Sequence, residues 1–143
     1  MQDIPKYSGC FVCGDRNQHG LQAVFTFDGT QAISTVVARE SFEGYKNIFH
    51  GGIISTMLDE VMIKAILAQN IYAVTAEMTV KFLRPVTVGE SLTFTGRITH
   101  TRGRLLLTEG DVRGPDGALY ATATGKYVQA DEDLKQRLLA SID

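Results

Sequence analysis

Residues 50–69 have the sequence HGGIISTMLDEVMIKAILAQ, and this stretch predicts a helix over 51–69. Its apolar side chains point in nearly every direction around the helix axis; they belong to Ile53, Ile54, Met57, Leu58, Val61, Met62, Ile63, Ile66 and Leu67. Only three of its residues carry a charge, Asp59, Glu60 and Lys64. A helix that is apolar on all sides has to be enclosed by other elements. We therefore expect a curved sheet wrapped around this single helix.

Strands are predicted on both sides of the helix. Two precede it, over 21–28 and 31–38, and Asp28-Gly29 between them favours a tight hairpin turn. After the helix, apolar and polar residues alternate over four segments, 73–83, 91–101, 104–113 and 118–128. Such alternation is typical of an antiparallel sheet with one buried face. In the first of these segments it puts Thr75 on the polar face, opposite Met78 and Val80.

Other segments complete the predicted layout. Residues 39–47 predict a polar loop, and 131–141 a short C-terminal helix. Small residues along the later strands would let the strands bend and the helix approach closely; these are Gly96, Gly110, Gly125, Ala121 and Ala123.

Composition limits the class of protein. The chain has 143 residues, the length of one domain, and we treat 1–143 as a single domain. A net charge of -2 argues against a nucleic-acid partner. No apolar run approaches the roughly 20 residues that span a membrane, and the first residues lack the apolar core of a secretory signal. Two cysteines are too few for a disulfide scaffold, so we expect a cytoplasmic protein with reduced thiols.

The predicted helix begins with two glycines, which are poor helix formers. Gly51 and Gly52 make sense if bare backbone N–H groups approach a ligand, because the first-turn N–H groups lack partners within the helix. Such groups can stabilise a carbonyl oxygen that gains negative charge. A tight helix start with no chemical role explains the two glycines equally well.

The two acidic residues of the helix differ in their surroundings. Glu60 has Lys64 at i+4, which indicates a solvated ion pair. Asp59 has no basic residue one turn away and mostly apolar neighbours. Burying an unpaired carboxylate is costly, which favours a functional role for Asp59. The alternative is that Asp59 faces solvent or an arginine from a strand.

Two further motifs carry weaker signals. Cys10 and Cys13 form a lone CxxC motif, and His19 could add a third zinc ligand. Because no second pair of ligands follows, a compact turn with small buried thiols is favoured over a metal site.

Four basic residues lie near the ends of the predicted strands. They are either solvated or bind the phosphates of a ligand; they are Lys81, Arg84, Arg102 and Arg104.

The order of elements and the HGG…D spacing resemble the hotdog-fold acyl-CoA thioesterases, in particular their phenylacetate-degradation (PaaI-like) branch. The resemblance rests on the helix motif HGGIISTMLDE at 50–60 and on the following strand TAEMTVKFLRP at 75–85 with VGE at 88–90. CFVCG at 10–14, with Asn17, Gly20 and Leu21, is similar to a leader of some members.

This resemblance implies a fold and a set of roles. The fold is α+β, an antiparallel sheet of about five or six strands around one long helix, in a homodimer or a dimer of dimers with active sites at the subunit interface. The N–H of Gly51 would polarise the thioester carbonyl of acyl-CoA, and Asp59 of the other subunit would act as nucleophile or general base. Supporting roles would fall to the following residues: Thr75 orienting water, His50 and Asn47 on the carbonyl side, and Gly52, Arg84, Arg102 and Arg104 in binding substrate.

The resemblance also has limits and competitors. Members often carry Asn or Gln six or seven residues before the histidine, where this chain has Gly44 and Glu43. The reaction needs no metal and no cofactor. A hotdog hydratase or dehydratase and a non-catalytic acyl-CoA-binding protein are the alternatives, but Tyr45 stands where the hydratases carry Asp.

Overall fold

A computed structural model describes residues 1–143, and its elements follow the predicted order closely. The elements are β1 (Gln2–Asp3), β2 (Thr26–Phe27), β3 (Ala32–Val37), a 3₁₀ turn (Glu40–Phe42), α1 (Gly51–Leu67), β4 (Ala73–Phe82), β5 (Ser91–Arg102), β6 (Leu105–Arg113), β7 (Leu119–Gln129) and α2 (Glu132–Ser141). None of the helices is long and apolar enough to cross a membrane.

The strands form one sheet in the order β1-β2-β3-β5-β6-β7-β4, and every neighbouring pair is antiparallel. The expected antiparallel sheet around one helix is therefore confirmed, with seven strands rather than five or six. The strand that follows the helix, β4, pairs only with β7 and ends the sheet. Its outer edge leaves backbone N–H and C=O groups without a strand partner.

Glycines in the sheet let α1 lie directly on it. A Cβ added at Gly96 would lie 2.7 Å from the backbone oxygen of Val61, and one at Gly125 would lie 3.2 Å from Met62 Cε. Gly110, the register partner of Gly96, is similarly close to Met62. The predicted close approach of helix and strands is confirmed at these three glycines.

The first predicted strand is mostly wrong. Only Thr26–Phe27 of 21–28 is in the sheet. The N–H groups of Leu21 and Ala23 instead donate to the carbonyl oxygens of Phe11 and Val12, and Gln22 has a φ of 51°. This segment therefore hydrogen-bonds to the N-terminal loop rather than to a strand, which the apolar pattern could not reveal.

The predicted solvated pair of Glu60 and Lys64 is also wrong. Lys64 is 4% exposed, and its ammonium donates to the carbonyl oxygen of Pro5 over 3.1 Å. Glu60 instead lies against Cys10, with 3.6 Å between Sγ and Oε2. Burial raises the pKa of Glu60 to about 7. The N-terminal segment covers this side of the helix, where it buries Lys64 and leaves Glu60 half-buried.

The glycine contacts yield a prediction about stability. Gly96→Ala should lower the free energy of unfolding by about 1–3 kcal/mol, because the added methyl overlaps helix backbone that cannot move alone. Gly110→Ala should cost less, since part of its contact is with the flexible Met62 side chain. Urea denaturation of both variants measures the difference. Equal stability of the Gly96→Ala variant and the wild type would contradict the close approach of helix and sheet.

Candidate active site

Asp59 lies on α1 facing the end strand of the sheet, and two hydroxyl groups hold its carboxylate. The Oδ1 atom accepts a hydrogen bond from Thr75 Oγ1 over 2.8 Å and another from the hydroxyl of Tyr127 over 2.9 Å. No lysine, arginine or histidine forms a salt bridge with Asp59. Asp59 therefore has no arginine partner, which was one of the alternatives that the sequence left open. Both of its hydrogen-bond donors bind the same carboxylate oxygen, Oδ1.

A β-bulge brings Thr75 to this carboxylate. In the pairing of β4 with β7, Thr75 is opposite Tyr127 but Glu77 is opposite Lys126, so Ala76 is an extra residue. The extra residue reverses the alternation, and Thr75 shares the helix-facing side with Met78 and Val80. Strict alternation predicts the opposite face for Thr75, and that prediction is wrong because of the bulge.

Tyr127 is a site residue that the sequence analysis missed. It is fully buried on β7, and its hydroxyl also contacts the backbone oxygen of Asp59 over 3.1 Å. Burial, together with the neighbouring Asp59 charge, raises the pKa of Tyr127 far above its ordinary value, so the hydroxyl keeps its proton and acts as a donor. The only sequence signal is a tyrosine on a buried strand face, since a buried phenol normally needs a polar partner.

The helix start has a distinct pattern of hydrogen bonds. Gly52 N–H donates to Nδ1 of His50 over 2.8 Å, so the imidazole caps the helix. The N–H groups of Ile53 and Ile54 donate to the backbone oxygen of His50. Gly51 N–H has no acceptor within the chain. Of the first-turn donors, Gly51 alone is therefore free for a ligand.

This helix start opens into a cavity of about 470 Å³, lined by Glu43, Gly44, Tyr45, Ile48, Phe49, His50 and Gly51. Asn47 lies in the adjacent turn with a φ of 66°. Its N–H donates to Glu43 Oε2 over 2.9 Å, and its backbone oxygen accepts from Val88. The contacts of Asn47 are those of a turn residue, whereas Glu43 and Gly44 line the cavity.

The predicted substrate-binding arginines lie at two ends of the sheet. Arg84 follows β4 and stacks on the ring of Tyr120, 4.9 Å from its centroid. Arg104 donates to the backbone oxygen of Gln129, which pairs with Ala73 at the opposite end of β4. Arg102 is the last residue of β5, beside Arg104. Within one chain these cations do not form a single cluster.

The two chemical groups of the site are likewise apart in one chain. Gly51 and Asp59 are eight positions apart on one helix, or about 12 Å along its axis. A Cβ at Gly51 would lie 3.4 Å from the ring of Phe82, whereas Asp59 bonds Thr75. The free N–H and the carboxylate therefore lie near opposite ends of β4.

Comparisons with known proteins place this architecture among thioesterases. A sequence model of the thioesterase superfamily matches residues 46–121, just over half of the chain. Acyl-coenzyme A thioesterase PaaI of Escherichia coli is 27% identical over 81 residues, which cover 57% of this chain and 57% of that protein. An uncharacterised Schizosaccharomyces pombe protein is 30% identical, with 53% of its length covered. The matches thus span little more than half of these curated relatives.

Solved structures share the fold. A thioesterase superfamily protein has a TM-score of 0.80 at 27% identity, over 85% of this chain and 60% of that one. A hypothetical thioesterase from Streptococcus pneumoniae, solved with coenzyme A, has a TM-score of 0.72 at 17% identity, over 76% of this chain and 85% of that one. The hotdog fold expected from the sequence is confirmed.

The hydrogen bond between Tyr127 and Asp59 yields a second prediction. Tyr127→Phe should lower the free energy of unfolding by about 1.5–3 kcal/mol, the range for a bond to a charged group. In an Asp59→Asn background the loss should shrink to about 1 kcal/mol, because the acceptor is then neutral. A double-mutant cycle measures this coupling.

Tyr120→Phe is the matched control, since that hydroxyl also donates to a carboxylate, Glu90 Oε1, over 2.9 Å. Its cost should be the same with and without Asp59→Asn. Equal costs for Tyr127→Phe in the two backgrounds would show that the phenol does not stabilise the carboxylate.

Proposed function

The chain belongs to the thioesterase superfamily, and from this we propose that it hydrolyses the thioester bond of an acyl-coenzyme A to a free acid and coenzyme A. The observation that carries the proposal is the Asp59 carboxylate, which has no cationic partner and is oriented by two hydroxyl donors on one oxygen. The activity of the Escherichia coli relative and the coenzyme A in the Streptococcus pneumoniae structure support the substrate class.

Asp59 can serve as general base or as nucleophile. Thr75 and Tyr127 hold Oδ1, so Oδ2 is available to accept a proton from water or to attack the thioester carbon. As a base, Oδ2 takes the proton while the water oxygen bonds the carbonyl carbon; as a nucleophile, it forms an anhydride that water then opens. In both routes the carbon–sulfur bond breaks, and coenzyme A leaves as the thiol after protonation.

Gly51 N–H is suited to stabilise the oxyanion that either route produces. It lies at the positive end of α1 and has no competing acceptor in the chain. His50 adds a second donor: because Nδ1 accepts from Gly52 N–H, the neutral imidazole carries its proton on Nε2. Gly52 and Asn47 have structural roles at this helix start: Gly52 binds the capping histidine, and Asn47 forms the preceding turn.

Two subunits are needed to bring these groups together. Reaction requires contacts of about 3–3.5 Å with the same carbonyl, far less than the roughly 12 Å between Gly51 and Asp59 along one helix. Antiparallel pairing of two β4 edges about a two-fold axis would set the Phe82 end of one strand beside the Thr75 end of the other. One subunit would then supply the N–H and the other the carboxylate.

The edge of β4 has the surface expected for such pairing. Val74 and Phe82 are 40% and 53% exposed, and Leu83 just beyond the strand is also 53% exposed. Unpaired strand edges with exposed apolar side chains tend to bind another strand.

The same two-fold axis would bring Arg84 of one subunit to the end of the sheet where Arg102 and Arg104 of the other subunit lie. These guanidinium groups could then bind the phosphates of coenzyme A together. We propose a homodimer, or a dimer of such dimers.

Asp59→Asn tests the chemistry directly. The variant should fold and bind substrate but lose kcat by a factor of about 10²–10⁴, because the amide neither accepts a proton nor attacks. Release of free thiol from a panel of acyl-CoAs, from short aliphatic to aryl and long-chain, measures kcat. A panel on which the wild type releases no thiol would favour a hydratase or a carrier instead.

Asp111→Asn is the matched control, because Asp111 accepts a hydrogen bond from a threonine just as Asp59 does, Thr95 Oγ1 at 2.8 Å. Its kcat should stay near that of the wild type. If Asp59→Asn and Asp111→Asn reduced kcat equally, the assignment of Asp59 would be wrong.

Gly51→Pro tests the oxyanion donor, because proline removes the N–H and is tolerated in the first helical turn. His50 has a φ of −64° and a ψ of 128°, a conformation that suits a residue before proline. We expect a folded protein whose kcat falls by about 10²–10³.

Gly51→Ala is the paired control, since it keeps the N–H and its Cβ would have an ordinary contact of 3.4 Å with Phe82. It should change KM more than kcat. Circular dichroism and sedimentation establish that both variants fold and assemble. A folded Gly51→Pro variant with near-normal kcat would leave Gly51 as a structural residue only.

A further inference from the structure

A cluster of two thiols and a carboxylate lies on the side of α1 that the N-terminal segment covers. The Sγ atoms of Cys10 and Cys13 and a carboxylate oxygen of Glu60 all lie within 4.8 Å of one another. Cys13 is buried, and Cys10 and Glu60 are half-buried. The thioester chemistry proposed above uses none of these groups, and neither cysteine forms a disulfide.

We propose that this cluster binds a thiophilic divalent cation, foremost Zn²⁺, through Cys10, Cys13 and Glu60, with a fourth position for water or an exchangeable ligand. Thiolate sulfur and carboxylate oxygen are both established zinc ligands, and the CxxC spacing is the usual one for a pair of zinc cysteines. The site is separate from Gly51 and Asp59, and it does not depend on the proposed function.

The distances fit a tetrahedral ion. With Zn–S near 2.3 Å and Zn–O near 2.1 Å, a tetrahedral angle separates sulfur and oxygen by about 3.6 Å and two sulfurs by about 3.8 Å. The observed separation of Cys10 Sγ from Glu60 Oε2 is 3.6 Å. The two sulfurs lie within 4.8 Å of each other. Cys10 and Glu60 thus already have the spacing of two ligands of one ion, and the sulfurs need to approach each other by at most about 1 Å.

The turn that carries the cysteines is preformed. Val12 N–H donates to Cys10 Sγ over 3.3 Å, and Gly14 N–H donates to the backbone oxygen of Cys10 over 2.9 Å. A side chain at position 14 would overlap the backbone of Ser8 and Cys10, so the turn requires a glycine there. The hydrogen bond to Cys10 Sγ favours the thiolate of that residue, which is the form that binds metal.

Charge balance also favours a divalent cation. Two thiolates and a carboxylate carry three negative charges, and the buried ammonium of Lys64, one turn beyond Glu60 on α1, offsets one of them. A divalent ion cancels the remaining two, which matters because a net charge is costly to bury. Cys13 and Lys64 also line one cavity of about 310 Å³, which gives water or a small ligand access to this side of the cluster.

A pair of free thiols without a metal ion accounts for less of this cluster than a metal site does. It leaves the half-buried carboxyl group of Glu60 with only a thiol at 3.6 Å as its hydrogen-bond partner. A disulfide would remove even that partner. The metal instead uses all three groups at once and joins the N-terminal loop to α1 at the residue next to Asp59. Sequence analysis found only the cysteines, because Glu60 is 50 positions from Cys10 in the chain.

Cobalt titration of the full chain tests the site. Protein is stripped with a chelator under a phosphine reductant and titrated with Co²⁺, whose tetrahedral thiolate complexes absorb in the near ultraviolet and the visible. The wild type should take up one Co²⁺ per chain, which Zn²⁺ then displaces. Cys13→Ser should lose most of the thiolate absorption. Glu60→Gln should weaken Co²⁺ binding by at least about 10-fold while keeping both thiols, because even the outer partners of metal ligands contribute that much.

Asp15→Asn is the matched control, an exposed acid in the same loop whose only ion pair is with Lys6. Its Co²⁺ affinity should equal that of the wild type. Absence of stoichiometric uptake by the reduced wild type would overturn the site, as would equal Co²⁺ affinity of Glu60→Gln and the wild type. If Cys13→Ser does not fold, Glu60→Gln decides. None of these readouts measures thioester hydrolysis, so the two proposals fail separately.

Discussion

Enclosure of α1 is the constraint on which the rest of the molecule depends. The helix has an apolar surface all round, and it contributes seven of the 24 buried residues of the main hydrophobic core. The sheet can lie directly against it only because Gly96 faces the helix backbone and Gly110 leaves room for the Met62 and Leu58 side chains. The N-terminal segment covers the opposite side and buries even Lys64. Both the free N–H of Gly51 and the carboxylate of Asp59 are positioned by this one enclosed element.

Much of this architecture could be predicted from local patterns. Apolar residues on all sides of the helix predict its enclosure, and alternation predicts the four later strands to within about two residues of their observed ends. Asp59 stands out because it lacks a basic residue one turn away. The features that were missed are those that depend on distant contacts or on a break in the pattern. The bulge at Ala76 turns Thr75 to the other face, and Tyr127 reaches Asp59 across 68 positions. Residues 21–25 form hydrogen bonds with the N-terminal loop, a contact that the apolar pattern of the sequence does not predict.

The position of β4 explains why one chain holds only parts of the proposed site. The two ends of β4 carry different chemistry, Phe82 beside the helix start and Thr75 beside the carboxylate. Because β4 ends the sheet, a second copy can pair with it and exchange these ends. The proposed metal cluster lies on the far side of the helix, next to Asp59 in sequence. The proposed dimer contact and the proposed metal site thus lie on different sides of α1.

Mixing two inactive variants tests the shared site most directly. Asp59→Asn keeps the N–H and Gly51→Pro keeps the carboxylate, so a mixed dimer contains one intact site and one site with both defects. After co-refolding of equal amounts, random assortment predicts recovery of about a quarter of the wild-type kcat. Each variant refolded alone should stay inactive. A mixture no more active than its components, with mixed dimers shown by mass spectrometry, would contradict a site built from two subunits.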